Sequence, residues 1–95
     1  MIKTCPDQTG HAFIQVASNG QNSIIVYGGA NKKITVDYIT EVFANFGKGD
    51  MLHLQNEISC THKAIDIASN KGMSIVFNPS PFTQEILNMP LEKLD

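Results

Sequence analysis

Ninety-five residues, 42% apolar and 17% charged, describe one folded domain and not a disordered or collagen-like chain. A chain this short buries only about 60–65% of the surface its unfolded form exposes, so its stability is marginal. A formal net charge of −2 and a pI near 5.8 argue against a nucleic-acid partner, which needs clustered Lys and Arg, and Lys32-Lys33 is the sole basic pair.

No apolar run approaches the roughly 20 residues that span a bilayer. The start, Met1-Ile2-Lys3-Thr4-Cys5-Pro6, carries no secretory h-region. The expectation is a cytoplasmic protein without a membrane partner, with Cys5 and Cys60 as reduced thiols and no bridge between them. Asn78-Pro79-Ser80 is no glycosylation acceptor because proline occupies its middle position.

From Gly10 to Val16 the chain alternates, with Ala12, Ile14 and Val16 on one face and His11, Phe13 and Gln15 on the other, the period of a strand. Ser23 to Tyr27 is β-branched and reads the same way, and Asn19-Gly20 between the two runs offers the positive φ of a tight reversal. A hairpin over 10–28 results, barely stable in water unless another surface covers its apolar face. Gly28-Gly29-Ala30-Asn31 breaks the second strand. Val36, Ile39, Val42, Phe43 and Phe46 then recur at helical spacing behind a Thr35 cap, with Gly47 predicted as a left-handed terminator.

Met51 to Gln55 is a short apolar strand, Ser59 to Lys71 a helix with Ala64, Ile65, Ile67 and Ala68 inward and Gly72 closing it, and Met73 to Phe77 a further strand. Strand, helix and strand within about thirty residues form a right-handed βαβ unit with parallel strands, a sheet that wants both faces covered. Asn78-Pro79-Ser80-Pro81 is a rigid exit loop, Thr83 caps a short helix through Leu87, and Pro90 ends it before the acidic tail at Asp95.

Glu57 stands just past the carboxyl end of a parallel strand, where open α/β sheets bind ligands. A carboxylate there could accept hydrogen bonds from a polyol, but spacing alone favours a solvated loop glutamate serving the dipole of a helix that starts at Ser59. Gly47-Lys48-Gly49-Asp50 has the composition of an anion-holding loop but leads out of a helix into a strand, so it reads as a plain turn. His11, His53, His62, Cys5 and Cys60 do not form a metal set, because only Cys60 and His62 are close and their spacing points them to different helix faces. His53 reads as a core histidine, and Met51, Met73 and Met89 as gap-filling core or edge residues.

Taken in order, Thr9-Gly10-His11-Ala12-Phe13-Ile14, Gly29-Ala30-Asn31, Leu54-Gln55-Asn56-Glu57 and Phe77-Asn78-Pro79-Ser80-Pro81 resemble the ribokinase family of sugar kinases, over Thr9 to Asp95. The resemblance implies an α/β fold in which a lid-like hairpin precedes βαβ units of a ribokinase-like, mostly parallel sheet, left incomplete. The chain would then be one partial domain over 1–95, with 10–28 as lid and 35–95 as the middle of the large domain.

By the same resemblance, Ala12 and Ile14 match lid positions that pack against the sugar, and Glu57 matches a carboxylate that hydrogen-bonds a sugar hydroxyl. The family's amino-terminal sugar-holding aspartate, its magnesium-linked Asn-x-x-Glu motif, its glycine-rich anion hole and its catalytic base have no counterpart. The implied function is a segment of an ATP-dependent sugar kinase, catalytically incomplete alone; ATP and Mg2+ serve the complete enzyme and neither is expected on this segment. The hairpin would meet a second copy, as in family dimers, or the remainder of a kinase chain. Two other classes stand beside this: a non-catalytic module that self-associates through Ala12, Ile14, Val16, Ile24 and Val26, and a small metabolite-binding regulator, which would lack any phosphate loop.

Overall fold

A computed structural model describes residues 2–95. The alternating runs become two antiparallel strands, β1 (His11–Val16) and β2 (Asn22–Tyr27), in the register Ala12 opposite Val26 and Ile14 opposite Ile24. The reversal is closed by Gly20, whose φ of 86° is left-handed, and by Ala17 N donating to Gln21 O at 2.7 Å. Every residue of both strands is exposed, so the hairpin contributes nothing to the core.

A 3-10 turn over Gly29–Lys33 leads to α1 (Val36–Phe43), whose first turn is capped as predicted: Thr35 Oγ1 accepts from Tyr38 N at 3.2 Å. The helix ends at Phe43 and not at Gly47, which has no positive φ. Asp50 explains the difference. Its carboxylate accepts from Gly47 N at 2.9 Å and Asp50 N donates to Gly47 O at 3.0 Å, so a closed turn follows the helix and Gly49, at φ 98°, takes the left-handed position.

β3 (Met51–Gln55) and β4 (Ser74–Asn78) pair in parallel, joined by α2 (Thr61–Asn70), which makes the expected βαβ unit; β4 lies one residue later than its predicted span. The helix begins at Thr61, because Ser59 Oγ donates to Ile34 O at 2.7 Å and Cys60 adopts a left-handed φ of 62°. Gly72, φ 76°, closes it as predicted. Ile39 and Phe43 of α1, Ala64, Ile65 and Ala68 of α2, and Leu54 and Ile75 of the strands form the core, with Ile65 and Ile75 at 0% exposure.

Only one face of the parallel pair is covered. Leu52, Leu54, Ile75 and Phe77 turn toward the helices, while Met51 (67% exposed), His53 and Val76 lie open on the other side. His53 is therefore not the core histidine that its apolar strand suggests: in a strand of period two it falls on the uncovered face. Of the methionines, Met73 is buried and Met89 packs at the margin of the core.

Past β4 the chain forms 3-10 turns over Gln84–Asn88 and Leu91–Lys93. Thr83 precedes the first without a side-chain cap bond, its hydroxyl being engaged by Asn56 Nδ2 at 3.3 Å. Asp95 returns to β4, where its N–H donates to Ile75 O at 2.9 Å and its carboxylate accepts from Ile75 N. No helix among the described residues is long and apolar enough to cross a membrane.

The tail is also tied to α2. Lys93 Nζ donates to Asp66 Oδ1 at 2.8 Å, and His62 Nε2 lies 3.3 Å from Asp66 Oδ2. The bond from Lys93 above all, then the charges of Lys93, His62 and Lys63, hold the Asp66 carboxyl below its ordinary value of 3.8 against partial desolvation. A depressed folded-state pKa adds stability that is complete above the unfolded value and is lost as pH falls through the folded one. Asp66→Asn should therefore lower the urea midpoint near neutrality, where that contribution is complete, and flatten the limb between about pH 5 and about pH 2.5, so that variant and wild type converge at the acid end.

Candidate functional site

A groove of about 720 Å³ opens between the hairpin and the carboxyl ends of the parallel strands. Its upper wall is one face of the hairpin. Because side chains alternate, Ala12, Ile14, Ile24 and Val26 share that face and line the groove together. Its floor comes from the turns that leave β3 and β4: Asn56 and Glu57 after the first, Ser80 and Pro81 after the second.

Parallel pairing brings those two turns side by side, and Asn56 ties them together. Its N–H donates to Ser80 O at 3.2 Å and its side-chain amide to Pro81 O at 2.8 Å. Asn56 is a positioning residue that the sequence reading passed over, although it lies within the Leu54-Gln55-Asn56-Glu57 run. The signal was there in its place: a residue just past a strand, carrying an amide able to cross to the next strand's exit loop.

Glu57 is exposed, lines the groove, and among the described residues takes part in no ion pair. With α2 starting at Thr61 it sits outside the helix's first turn, so the helix-dipole role loses its basis, because that effect fades within one turn. All three sequence-chosen residues, Ala12, Ile14 and Glu57, thus border a single groove. Lys32 lines it too, with its aliphatic stem lying over Gly28, where a Cβ would come within 2.7 Å of the lysine Cγ.

The other candidates fall away from this site. Gly47–Asp50 is a turn whose Gly47 N–H is already taken by Asp50, which leaves it unsuited to cradle an anion. Among the described residues no three His, Cys, Asp or Glu side chains converge as metal ligands. His11 borders the groove, but its ring stacks edge-on with Phe13 at 5.6 Å and tilts against Tyr27 at 5.1 Å, and its Nδ1 is 3.0 Å from Thr9 O.

The hairpin reaches the α/β unit through a crowded joint. Gly29 has φ 53°, and a Cβ on it would stand 2.3 Å from Gln8 O; a Cβ on Gly10 would meet the Asn31 side-chain amide at the same separation. Ala30 N donates to Gln8 O at 2.7 Å and Ser59 N to Asn31 O at 2.9 Å, so the Gly29-Ala30-Asn31 run is what joins lid-like hairpin, N-terminal segment and α2 entry.

A hairpin poised over the carboxyl ends of a parallel pair, with the strand exits forming the floor, defines the ribokinase-like α/β class. The chain is 39% identical over 83 residues to the ribokinase of Staphylococcus aureus strain COL, a match covering 85% of this chain and 27% of that protein. Among solved structures, the ribokinase from Giardia lamblia aligns with 98% of this chain and 32% of its own, at a TM-score of 0.78 and 27% identity. The ribokinase from Cryptococcus neoformans var. grubii serotype A in complex with ADP aligns with 97% of this chain and 30% of its own, at 0.66 and 28%. No protein-family model matches. The chain is a ribokinase-family sequence, and it spans little more than a quarter of the length of the S. aureus relative.

The joint yields a sharp test of the architecture. Gly29→Ala forces a side chain into a left-handed position and against Gln8 O, and should cost about 1–3 kcal/mol in urea unfolding. Gly49→Ala is the control, since Gly49 shares the left-handed backbone but a Cβ there would meet nothing within 4 Å; the loss at Gly29 should be the larger.

Proposed function

We propose that the groove is the sugar-facing part of an ATP-dependent sugar kinase of the ribokinase family, to which this chain supplies lid residues and one substrate carboxylate. The observation that carries the reading is the placement of Glu57. An exposed carboxylate without an ion-pair partner faces an apolar hairpin wall across a groove of about 720 Å³.

The chemistry of a sugar suits both walls. An ionised carboxylate offers two oxygens and only accepts hydrogen bonds, so Glu57 can take a pair of neighbouring hydroxyls at once. Ala12, Ile14, Ile24 and Val26 offer a surface for the sugar's C–H face, and a hairpin resting there removes water from around the Glu57 bonds, which strengthens them. Asn56 holds the floor to which Glu57 belongs, keeping the two strand exits at a set spacing.

ATP with Mg2+ would supply the transferable phosphoryl group and neutralise its charge. The described residues do not fit that group. The Gly47–Asp50 turn is closed on itself and no acidic set converges on a metal, so no step of the transfer is assigned to them. What these residues do is bind, orient and desolvate the sugar, while phosphoryl transfer and its base belong to other parts of a complete kinase.

A second reading is favoured by a different observation. Phe13 (66% exposed) and Ile25 (71%) stand opposite each other on the hairpin face turned away from the groove. That face suits a covering surface, which we propose to be a second copy of the chain or further kinase chain. Self-association through Phe13 and Ile25 does not conflict with the sugar reading, since the two use opposite faces, whereas association through the Ala12, Ile14, Val16, Ile24 and Val26 face expected from the sequence would compete with a ligand for the groove.

Titrating the 15N-labelled chain with D-ribose should move the amide signals of Ala12, Ile14, Asn56 and Glu57. Glu57→Ala should weaken that binding by about tenfold or more, the usual size of a lost hydrogen bond to a charged group; an unaltered affinity would remove Glu57 from the site. In sedimentation, the weight-average mass should rise above 10.4 kDa with concentration. Ile25→Lys should suppress the rise, and a wild-type chain that stays monomeric would leave the second reading without support.

A further inference from the structure

No residue of β1 or β2 is buried, so core packing does not set the angle at which the hairpin stands over the groove. The angle is decided at the base, where the chain crosses twice, through Thr9-Gly10 and through Gly28-Gly29. One side chain engages both sides of this crossing. Asp7 Oδ1 accepts from the Tyr27 hydroxyl at 2.9 Å and from Gln8 N at 2.8 Å, and its Oδ2 lies 3.8 Å from Lys33 Nζ.

Tyr27 is the last residue of β2 and borders the groove, whereas Lys33 ends the 3-10 turn that opens the α/β unit. The carboxylate therefore spans the two bodies. We propose that Asp7 is a positioning residue that sets the tilt of the hairpin over the groove, by holding Tyr27 with one oxygen and Lys33 with the other. The proposal rests on the sugar reading only for what lies beneath the hairpin.

Other groups in the neighbourhood fit this role. Gln8 O, next in the chain, accepts from Ala30 N at 2.7 Å, so the segment that carries Asp7 is itself anchored to the turn. The His11 ring lies tilted against the Tyr27 ring, with their centres 5.1 Å apart. The Tyr27 bond, then the Gln8 N–H and the Lys33 charge, hold the Asp7 carboxyl below its ordinary range, and the same carboxylate pushes the Tyr27 phenol up. The pair is thus intact from above the Asp7 titration to below that of Tyr27, which includes neutral pH.

Two readouts that involve no sugar test the clamp. The chain has two tyrosines, so Tyr38→Phe leaves Tyr27 as the one absorbing phenol, and a phenyl ring at 38 can still lie beneath Lys3 Nζ, which sits 5.2 Å from the ring centre. In that background Asp7→Asn should lower the pH at which phenolate absorbance appears. Separately, residual dipolar couplings of hairpin amides should change relative to those of α1, α2, β3 and β4 in both Tyr27→Phe and Asp7→Asn, while couplings within the α/β unit stay at wild-type values and certify the fold. A Tyr27 titration that ignores Asp7→Asn, or a hairpin orientation that survives Tyr27→Phe, would overturn the proposal. Failure of the wild-type chain to bind ribose would count against the sugar reading alone.

Discussion

The packing of α2 on one face of the β3–β4 pair is the constraint on which the site depends. Ile65 and Ile75, both without exposed surface, belong to the cluster that joins the helix to the strands, and a short chain has little else with which to hold two parallel strands together. Once that contact exists, β3 and β4 must run the same way and finish at the same end. Their exits are then neighbours, and Asn56 has Ser80 and Pro81 within reach. A floor for a ligand is thus a by-product of how the core closes, the general reason that open α/β sheets bind at the carboxyl ends of strands.

The hairpin obeys different physics. It forms from alternation, a glycine reversal and backbone pairing, with no residue in the core, and two strands alone lack the buried area to hold an orientation. Its attachment is instead a joint of close backbone approaches at Gly10 and Gly29 and of polar contacts about Asp7 and Gln8. This division would suit the lid role proposed for the hairpin. The α/β unit supplies rigidity and fixes Glu57, while a covering element joined by a small polar hinge can change its height at little cost to the core. The uncovered apolar faces, Phe13 and Ile25 on the hairpin and Met51 and Val76 on the parallel pair, are surfaces that this chain's own elements leave without a partner.

Much of this was legible beforehand where local chemistry decides. The period-two runs gave both hairpin strands, Thr35 marked the start of α1, β3 was placed to the residue, and Gly72 closed α2. The misplacements share a cause: a contact distant in sequence outweighed a local preference. Ser59 has the composition of a helix cap, yet its hydroxyl goes to Ile34 O and α2 starts later. Thr83 Oγ1 instead accepts from the Asn56 side-chain amide and leaves its own helical turn uncapped. His53 looked buried because its strand is apolar, but only one face of that strand meets a helix.

Ordered motifs in the sequence determined the family, the element order and the three residues most worth placing, because strand alternation, capping and glycine turns are local and survive without their surroundings. Spacing alone favoured a solvated loop and helix-dipole role for Glu57, and only the family resemblance pointed to a ligand role. Tertiary structure weakened the dipole part by starting α2 at Thr61, left Glu57 exposed in its loop, and put Ala12 and Ile14 across the same groove, some forty residues away in the chain. It alone revealed Asn56 as the tie between strand exits and Asp7 as the tie between hairpin and body. Such partners are chosen by parallel pairing and by the crossing of the chain at the hairpin base, and neither leaves a periodic trace in the residues themselves.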